Sequence, residues 1–274
     1  DEVVQFQSGL AWMTGPPGQP LRAGASVIDI LGAMFGVIAV QGALRERDET
    51  GIGQRVSSSL FESAVFLMGS HMAGMAATGL DARPMPARRG AWAVYDVFNT
   101  GDDGQLFIGV TSDQQWERFI LEFNLEKLAA DPRLETNVTR LAERSWLLPE
   151  IQAALLKFTQ KELEQRCEHC NVSWAPVGQP KDLFEDPHLL ATGGLVDVFV
   201  SKFGEDIGKM TGLPALPVEF GMERKRPKVR LQPPKIGEHN EEILLQYGFQ
   251  KDEIQSLYRS SVLTDHKRIK TLSD

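Results

Sequence analysis

The sequence has 274 residues, enough for one large domain or two ordinary ones with proper cores. Hydrophobic residues make up 42% of it and charged residues 24%, as in an average soluble globular protein. The formal net charge of -8 argues against a nucleic-acid surface, where a basic footprint is expected, although a local positive pocket for an anionic substrate remains compatible with it.

The cysteine content and the apolar runs further limit the class of protein to which the sequence can belong. Cys167 and Cys170 are too few for a disulfide scaffold, and the low count favours a cytoplasmic compartment. A zinc site needs two more ligands and no second Cys/His cluster exists, so we expect a structural role for the pair and no metal. The longest apolar run that we identify, 58–77, contains Glu62 and His71, and we therefore predict no membrane contact.

Residues 1–78 show the alternation of strand and helix that is typical of an α/β fold with a parallel sheet. In chain order we predict a strand, a loop, a helix, a second strand and a second helix, over residues 3–6, 10–24, 30–47, 54–59 and 60–78. The sequence has no initial methionine and opens directly with residues that are typical of a strand. We therefore expect it to begin inside a domain.

The remaining chain divides into three parts. Residues 79–92, with two prolines and the Arg88-Arg89 pair, are predicted to be a linker. A small α+β domain is predicted over 93–186, beginning with a hairpin and continuing with a helix whose apolar face is Trp116, Phe119 and Ile120. Residues 187–274 have short strands, many prolines and a sparse core pattern, so we expect a segment that packs back on the large domain.

Asp29 is the polar residue with the most informative position. It lies between an apolar approach, 25–28, and the start of the first long predicted helix. An aspartate there can cap the helix, which stabilises it by about 0.5–2 kcal/mol. The same helix end keeps a partly buried carboxylate ionised, and an ionised, poorly hydrated carboxylate is a usable acyl acceptor. From the residues alone, both roles stay open.

A series of blocks, in one order along nearly the whole chain, carries a family resemblance. The first is Leu-Arg-Ala-Gly-Ala-Ser-Val-Ile-Asp at 21–29 followed by Gly32, and the second is Thr-Gly-Ile-Gly-Gln-Arg-Val at 50–56 with Leu-Phe-Glu-Ser-Ala at 60–64. The others are short motifs at 95–98, 103–104, 113–116, 131–140, 175–177, 186–187 and 233–239. Each is weak alone, but together they resemble the class III CoA-transferases of the CaiB/BaiF, formyl-CoA transferase-like type.

The resemblance implies that Asp29 is the nucleophile. Its carboxylate attacks the donor thioester, and CoA then passes through an aspartyl anhydride and an aspartyl-CoA thioester to a second carboxylic acid. This chemistry needs no metal or redox cofactor, so we expect acyl-CoA and a small carboxylic acid as substrates and no bound cofactor. Ring-like, interlocked homodimers are also implied, with 187–274 returning to the large domain.

The resemblance starts partway into the family pattern. The family's first βα units, which supply most groups that hold CoA, have no counterpart here, so the expected Rossmann-like parallel sheet is incomplete over 1–78. Half a sheet exposes unpaired edges and apolar surface. We therefore expect a fragment, or a chain that works with a partner supplying the rest of the sheet.

Two further positions carry weaker predictions. Arg88-Arg89-Gly90-Ala91 stands where the family has a glycine loop over the active site, but without the glycine run, so Arg89 and Gly90 are either gating residues or a solvated linker. Asp96 stands where related acyl-CoA racemases have an acidic residue that handles the α-proton. Three readings follow: a CoA-transferase, a racemase or epimerase using Asp29 and Asp96, and a non-catalytic fragment. The sequence does not identify the acids.

Overall fold

The computed structural model describes residues 1–87, 90–201 and 208–265. The chain divides into two compact units, Asp1–Pro176 and Val177–Asp274. The strands of the described residues form one sheet of three strands and one of two, and every pairing is antiparallel. The fold is therefore mixed α/β with small sheets, and the described residues contain no parallel sheet.

The first region is helical where we expected strands. Helix α1 spans Glu2–Gln7 and helix α2 spans Leu10–Thr14. The prediction of a strand at 3–6 is therefore wrong, and the prediction of a loop at 10–24 is partly wrong. Residues 54–59 form no strand either. A lone strand leaves its backbone N–H and C=O groups without partners, whereas a helix satisfies them locally. Without neighbouring strands, the β-like composition of Val3 and Val4 did not decide the conformation.

Two long helices dominate this region and confirm the helical predictions. Helix α3 spans Val27–Thr50, and helix α4 spans Leu60–Thr78 as predicted. They approach closely at Gly32, where a Cβ atom would lie 2.5 Å from Cδ2 of Leu60. The Ser58 hydroxyl donates to the Gly32 carbonyl at 2.9 Å, which ties the segment before α4 to α3.

The opposite side of α3 is apolar and uncovered. Six large side chains there are between 39% and 63% exposed: Ile30, Met34, Val37, Ile38, Val40 and Leu44. By length and composition α3 is long and apolar enough to cross a membrane, although 58–77 was predicted as the longest apolar run. The inner helix of a globular protein has the same composition. Here the chain itself covers one side.

The small α+β fold follows the linker. A 3-10 turn, Met85–Ala87, precedes strands β1 (Tyr95–Asn99) and β2 (Gln105–Gly109), which form the expected hairpin. Strand β3 (Ser173–Pro176) pairs with β2, giving the order β1-β2-β3. Five helices lie between β2 and β3: α5 (Asp113–Glu122), α6 (Glu126–Ala129), α7 (Asn137–Ala142), α8 (Arg144–Leu155) and α9 (Gln160–His169).

Sheet and helices enclose one hydrophobic core. The predicted face of α5 is buried, with Trp116 5%, Phe119 0% and Ile120 4% exposed. It packs with residues from the sheet, α8 and α9, including Phe98, Leu106, Ile108, Leu147, Ile151, Leu155 and Leu163. Ser112 caps α5 by accepting from the Gln115 N–H at 3.1 Å.

The second unit has little regular structure among its described residues. A 3-10 turn, Pro180–Phe184, is followed by helix α10 (Pro187–Thr192) and by the antiparallel strands β4 (Leu195–Ser201) and β5 (Gly208–Pro214). Two short helices, α11 (Asn240–Gln246) and α12 (Lys251–Arg259), follow near the end. Arg226 donates to the carbonyls of Thr192 and Leu216 at 3.0 and 3.2 Å and links the turns around the hairpin.

The loop between β1 and β2 provides a stability test. A Cβ atom at Gly101 would lie 2.6 Å from the Leu156 carbonyl oxygen and 3.1 Å from that of Phe158, both backbone atoms. We expect Gly101→Ala to lower the free energy of unfolding by about 1–3 kcal/mol, as overpacking does. Urea denaturation followed by tryptophan fluorescence measures it. Asp103→Gly, at a residue with φ of 62°, is the matched control and should be neutral or stabilising. Equal midpoints for Gly101→Ala and the unsubstituted chain would contradict the close approach.

Candidate functional site

Asp29 lies in the first turn of α3. The helix begins one residue after Ser26, so the apolar approach at 27–28 is already helical and Asp29 is not the cap residue. Its side chain is 54% exposed. The carboxylate therefore stands at the positive end of a helix of 24 residues and is open to a reactant.

The start of α3 is capped by a second carboxylate. Oδ2 of Asp1 accepts from the backbone N–H groups of Ile28 and Asp29, at 2.8 and 3.3 Å. Gln5, which is fully buried, donates through Nε2 to Oδ1 of Asp1 and accepts from the Ala23 N–H at 2.9 Å. The backbone nitrogen of Asp1 lies 3.5 Å from Oδ1 of Asp29. Neither Asp1 nor Gln5 was predicted as a site residue, because residues 3–6 were expected to form a strand.

Asp96 has a different partner. It lies on β1, and its carboxylate forms an ion pair with Arg144 of α8 while also accepting from the Val97 N–H at 2.9 Å. Arg144 donates to the Ala93 carbonyl as well, so it ties both ends of this stretch to α8. Within the described residues, no hydrogen bond or ion pair joins Asp96 to Asp29. The contacts of Asp96 are those of a structural residue, and its role in proton transfer stays a prediction.

The proposed gating residues are only partly described. Arg88 and Arg89 lie outside the described residues. Gly90 lies in an irregular segment, where an added Cβ atom would be 3.2 Å from the Trp92 carbonyl oxygen. Its gating role stays a prediction.

A cleft of about 510 Å³ lies on the small α+β fold, between α5 and the turn after α6. Three of its lining residues are acidic: Glu117, Asp131 and Glu135. Asp131 is held by Arg133 at 2.7 Å, and this contact lowers the pKa of the carboxyl group. An acidic rim repels the phosphates of CoA, so this cleft is a poor match for that ligand.

Both thiols are buried in the small fold. Cys167 is fully buried and Cys170 is 4% exposed. Burial raises the pKa of the Cys167 thiol to about 12, and burial also raises the pKa of Cys170. A thiol that stays protonated is a poor nucleophile and metal ligand. No group of metal-ligating side chains occurs in the part of the chain that the structure describes.

Comparison with known families identifies the chain. Residues 1–240 match the model of CoA-transferase family III, so the chain belongs to that family, a class of enzymes, and the resemblance seen in the sequence is confirmed. The match includes Asp1, Gln5 and Asp29.

Individual relatives agree with the family. The chain is 30% identical over 249 residues to a protein of Agrobacterium fabrum named succinate–glutarate CoA-transferase, covering 89% of this chain and 59% of the relative. It is 25% identical over 269 residues to the succinyl-CoA:glutarate CoA-transferase of Mus musculus, covering 97% and 60%. The fold is similar to that of a CaiB/BaiF family protein from Brucella suis, with a TM-score of 0.75, 24% identity, and 90% and 62% of the two chains covered. The chain thus spans about three fifths of the relatives' length.

The Asp96–Arg144 pair predicts a mild phenotype for Asp96→Asn. The carboxylate is 46% exposed, so we expect a change in the free energy of unfolding of at most about 1 kcal/mol. We also expect the complete protein to keep CoA transfer within about threefold, because residues that only hold structure do not alter the chemical barrier. Steady-state transfer assays measure this. A loss of 100-fold or more would instead assign Asp96 to the chemistry.

The buried Cys167 thiol predicts a pH effect on stability. Its pKa rises from 9.0 to about 12 on folding, so its contribution is fully present below pH 9 and is lost as the pH rises through 12. By pH 10 the loss should be about 1 kcal/mol. Urea denaturation at pH 8 and pH 10 tests it, with Cys167→Ala as the comparison. The two proteins differ only at position 167, so equal pH dependence would contradict the assignment.

Proposed function

We propose that the complete protein, of which these residues form part, moves CoA from the thioester of one carboxylic acid to another free carboxylic acid, with Asp29 carrying the acyl and CoA groups. The observation that supports this best is the family match over 1–240, which includes Asp29. The exposure of Asp29 in the first turn of α3 supports it as well.

The chemistry can be written as balanced carboxyl exchange. The Asp29 carboxylate attacks the donor thioester carbonyl, the C–S bond breaks, and a mixed anhydride and a CoA thiolate form. The thiolate attacks the aspartyl carbonyl, giving an aspartyl-CoA thioester and the free donor carboxylate. The acceptor carboxylate then attacks that thioester, and the returning thiolate takes the acceptor acyl group and restores Asp29. No electron is gained or lost, so the cycle requires no redox cofactor, and we propose that hydrogen-bond donors and not a metal stabilise the oxyanions.

The resting carboxylate and the addition steps of this cycle place negative charge on different atoms and need different stabilisation. At rest, the positive end of α3 stabilises the Asp29 carboxylate. In each addition step, negative charge moves from a carboxylate or thiolate onto a tetrahedral oxygen, which needs fixed donors and little water. A side chain that is 54% exposed has no such enclosure from this chain. We propose that the enclosure comes from the rest of the protein.

The uncovered side of α3 supports the same conclusion about the fold. Its apolar residues, with Phe66 on α4 at 70% exposure, suit burial against a sheet. We propose that residues outside this sequence supply a Rossmann-like parallel sheet there, and that the complete protein forms an interlocked homodimer in the cytoplasm. Residues 187–274 would be the segment that returns to the large domain.

The names of the relatives suggest the substrate class. They refer to succinate, glutarate, malate and citramalate, all short dicarboxylic or hydroxy-dicarboxylic acids. We propose succinyl-CoA as the first donor to test and short dicarboxylates as the first acceptors. The racemase alternative has less support because Arg144 holds the Asp96 carboxylate.

The decisive experiment traps the aspartyl intermediate. The complete protein is incubated with a panel of CoA thioesters, quenched with hydroxylamine, and digested for peptide mass spectrometry. We expect a hydroxamate at Asp29, absent in Asp29→Asn, together with a loss of transfer of about 10⁴-fold or more, as for removal of a covalent nucleophile. Asp96→Asn is the matched control and should still form the adduct.

Two outcomes would redirect the assignment. Incorporation of deuterium at the α-carbon in heavy water, without acyl transfer and without an adduct, would favour the racemase. A complete protein that forms no adduct and exchanges no proton would favour a non-catalytic role.

A further inference from the structure

The start of α3 has the spacing of a capping box without forming one. Ser26 stands at the cap position and Asp29 three residues later, where a carboxylate can bend back onto the cap residue's N–H. Ser26 makes no side-chain cap hydrogen bond, and within the described residues Asp29 makes none back to Ser26. The Asp29 carboxylate thus stays out of the local structure that its sequence position favours.

Helix α9 has a cap residue and a carboxylate at the same spacing, and there they form a complete capping box. Thr159 accepts from the Glu162 N–H at 3.3 Å, and the Glu162 carboxylate accepts from the Thr159 N–H at 2.8 Å. These backbone and side-chain hydrogen bonds from Thr159 lower the pKa of Glu162. A carboxylate used in this way is bound to its own helix and is a weaker nucleophile.

At α3 the capping contacts come from Asp1 instead. Its side chain is 7% exposed, and Oδ2 occupies the N–H groups of Ile28 and Asp29. Gln5 orients the other oxygen and is itself fixed by the Ala23 N–H. Asp1 thus accepts from the Asp29 N–H, the donor that the Ser26 hydroxyl would bind in a capping box. The helix start is therefore capped without the box, and the Asp29 carboxylate is not needed for it.

We propose that Asp1 is a positioning residue for Asp29: it caps α3 from outside, with Gln5 holding it in place, and so keeps the Asp29 carboxylate free for acyl transfer. This inference rests on the proposed function. Without Asp1, the Asp29 side chain folds back onto Ser26 as Glu162 does onto Thr159.

The test uses the complete protein and a swap of the buried pair. In Asp1→Asn, one carboxylate oxygen is replaced by an NH₂ group. This group must face either Nε2 of Gln5 or the Ile28 N–H, which are both donors, so one hydrogen bond is lost in either orientation. The double variant Asp1→Asn/Gln5→Glu restores complementarity, because the carboxylate and the amide have exchanged places. Glu2→Gln is the matched control, since Glu2 is exposed and pairs with Arg22 at 3.0 Å.

The expected result is specific to positioning. Asp1→Asn should slow both kcat and the formation of the trapped Asp29 adduct by about 10- to 100-fold, with KM for the acyl-CoA changed by less than about threefold. The double variant should recover most of the rate, and Glu2→Gln should behave as the unsubstituted protein. Gln5→Met, which removes the orienting bond but keeps the Asp1 carboxylate, should show a smaller loss of the same kind if Asp1→Asn proves unstable.

Other results overturn the inference. An Asp1→Asn protein that forms the adduct at the unsubstituted rate contradicts positioning while leaving the proposed function intact. Failure of the swapped pair to recover activity, with its thermal midpoint restored, contradicts the hydrogen-bond mechanism. If the unsubstituted protein forms no adduct with any thioester, the proposed function fails and this inference fails with it.

Discussion

Helix α3 is apolar on more sides than its own chain covers, and this constraint governs the first part of the chain. Its Gly- and Ala-rich side, with Ile28 and Gly32 buried, lies against α4, while six large apolar side chains point away from that contact. Burying one such side chain contributes about 1.5–3 kcal/mol, so leaving six in water is costly. The chain covers 59% of the Agrobacterium relative, and the remaining part of such a protein is long enough to cover this surface.

The small α+β fold shows the opposite situation. Its sheet and helices enclose a core in which Phe119, Leu147 and Leu163 are fully buried, and its charged residues are used to hold elements together. Arg140, 2% exposed, donates to the carbonyls of Leu134 and Glu135, and Arg144 ties β1 to α8. Asp96 and Asp113 of this fold are paired with arginines, whereas the Asp29 carboxylate has only the Asp1 backbone nitrogen, at 3.5 Å, as an ionic contact among the described residues. This contrast connects the packing of the chain to the assignment of the nucleophile.

Much of the organisation was predictable from local patterns. The hairpin at 95–109, the face of α5 with its Ser112 cap, and helix α4 follow from alternation, helical periodicity and capping chemistry, which act over a few residues. The predictions failed where the deciding contacts are long-range. Val3 and Val4 have strand-like composition, but no described strand lies beside them, and the segment became helix α1. The same error concealed Gln5, whose partners Asp1 and Ala23 are 4 and 18 residues away.

By itself, the sequence determined the family, the nucleophile candidate and most helices, because ordered motifs and short-range periodicity are written in the residues. The tertiary structure alone decided which carboxylates are held in hydrogen bonds to a helix start. Ser26 and Asp29 have the same spacing as Thr159 and Glu162, yet one pair forms a capping box and the other does not. The difference lies in Asp1, 28 residues from Asp29, which reaches the start of α3 only because the folded chain brings the start of α1 beside it. Competition between hydrogen-bond acceptors for the same N–H groups is a property of the fold, and no local pattern records it.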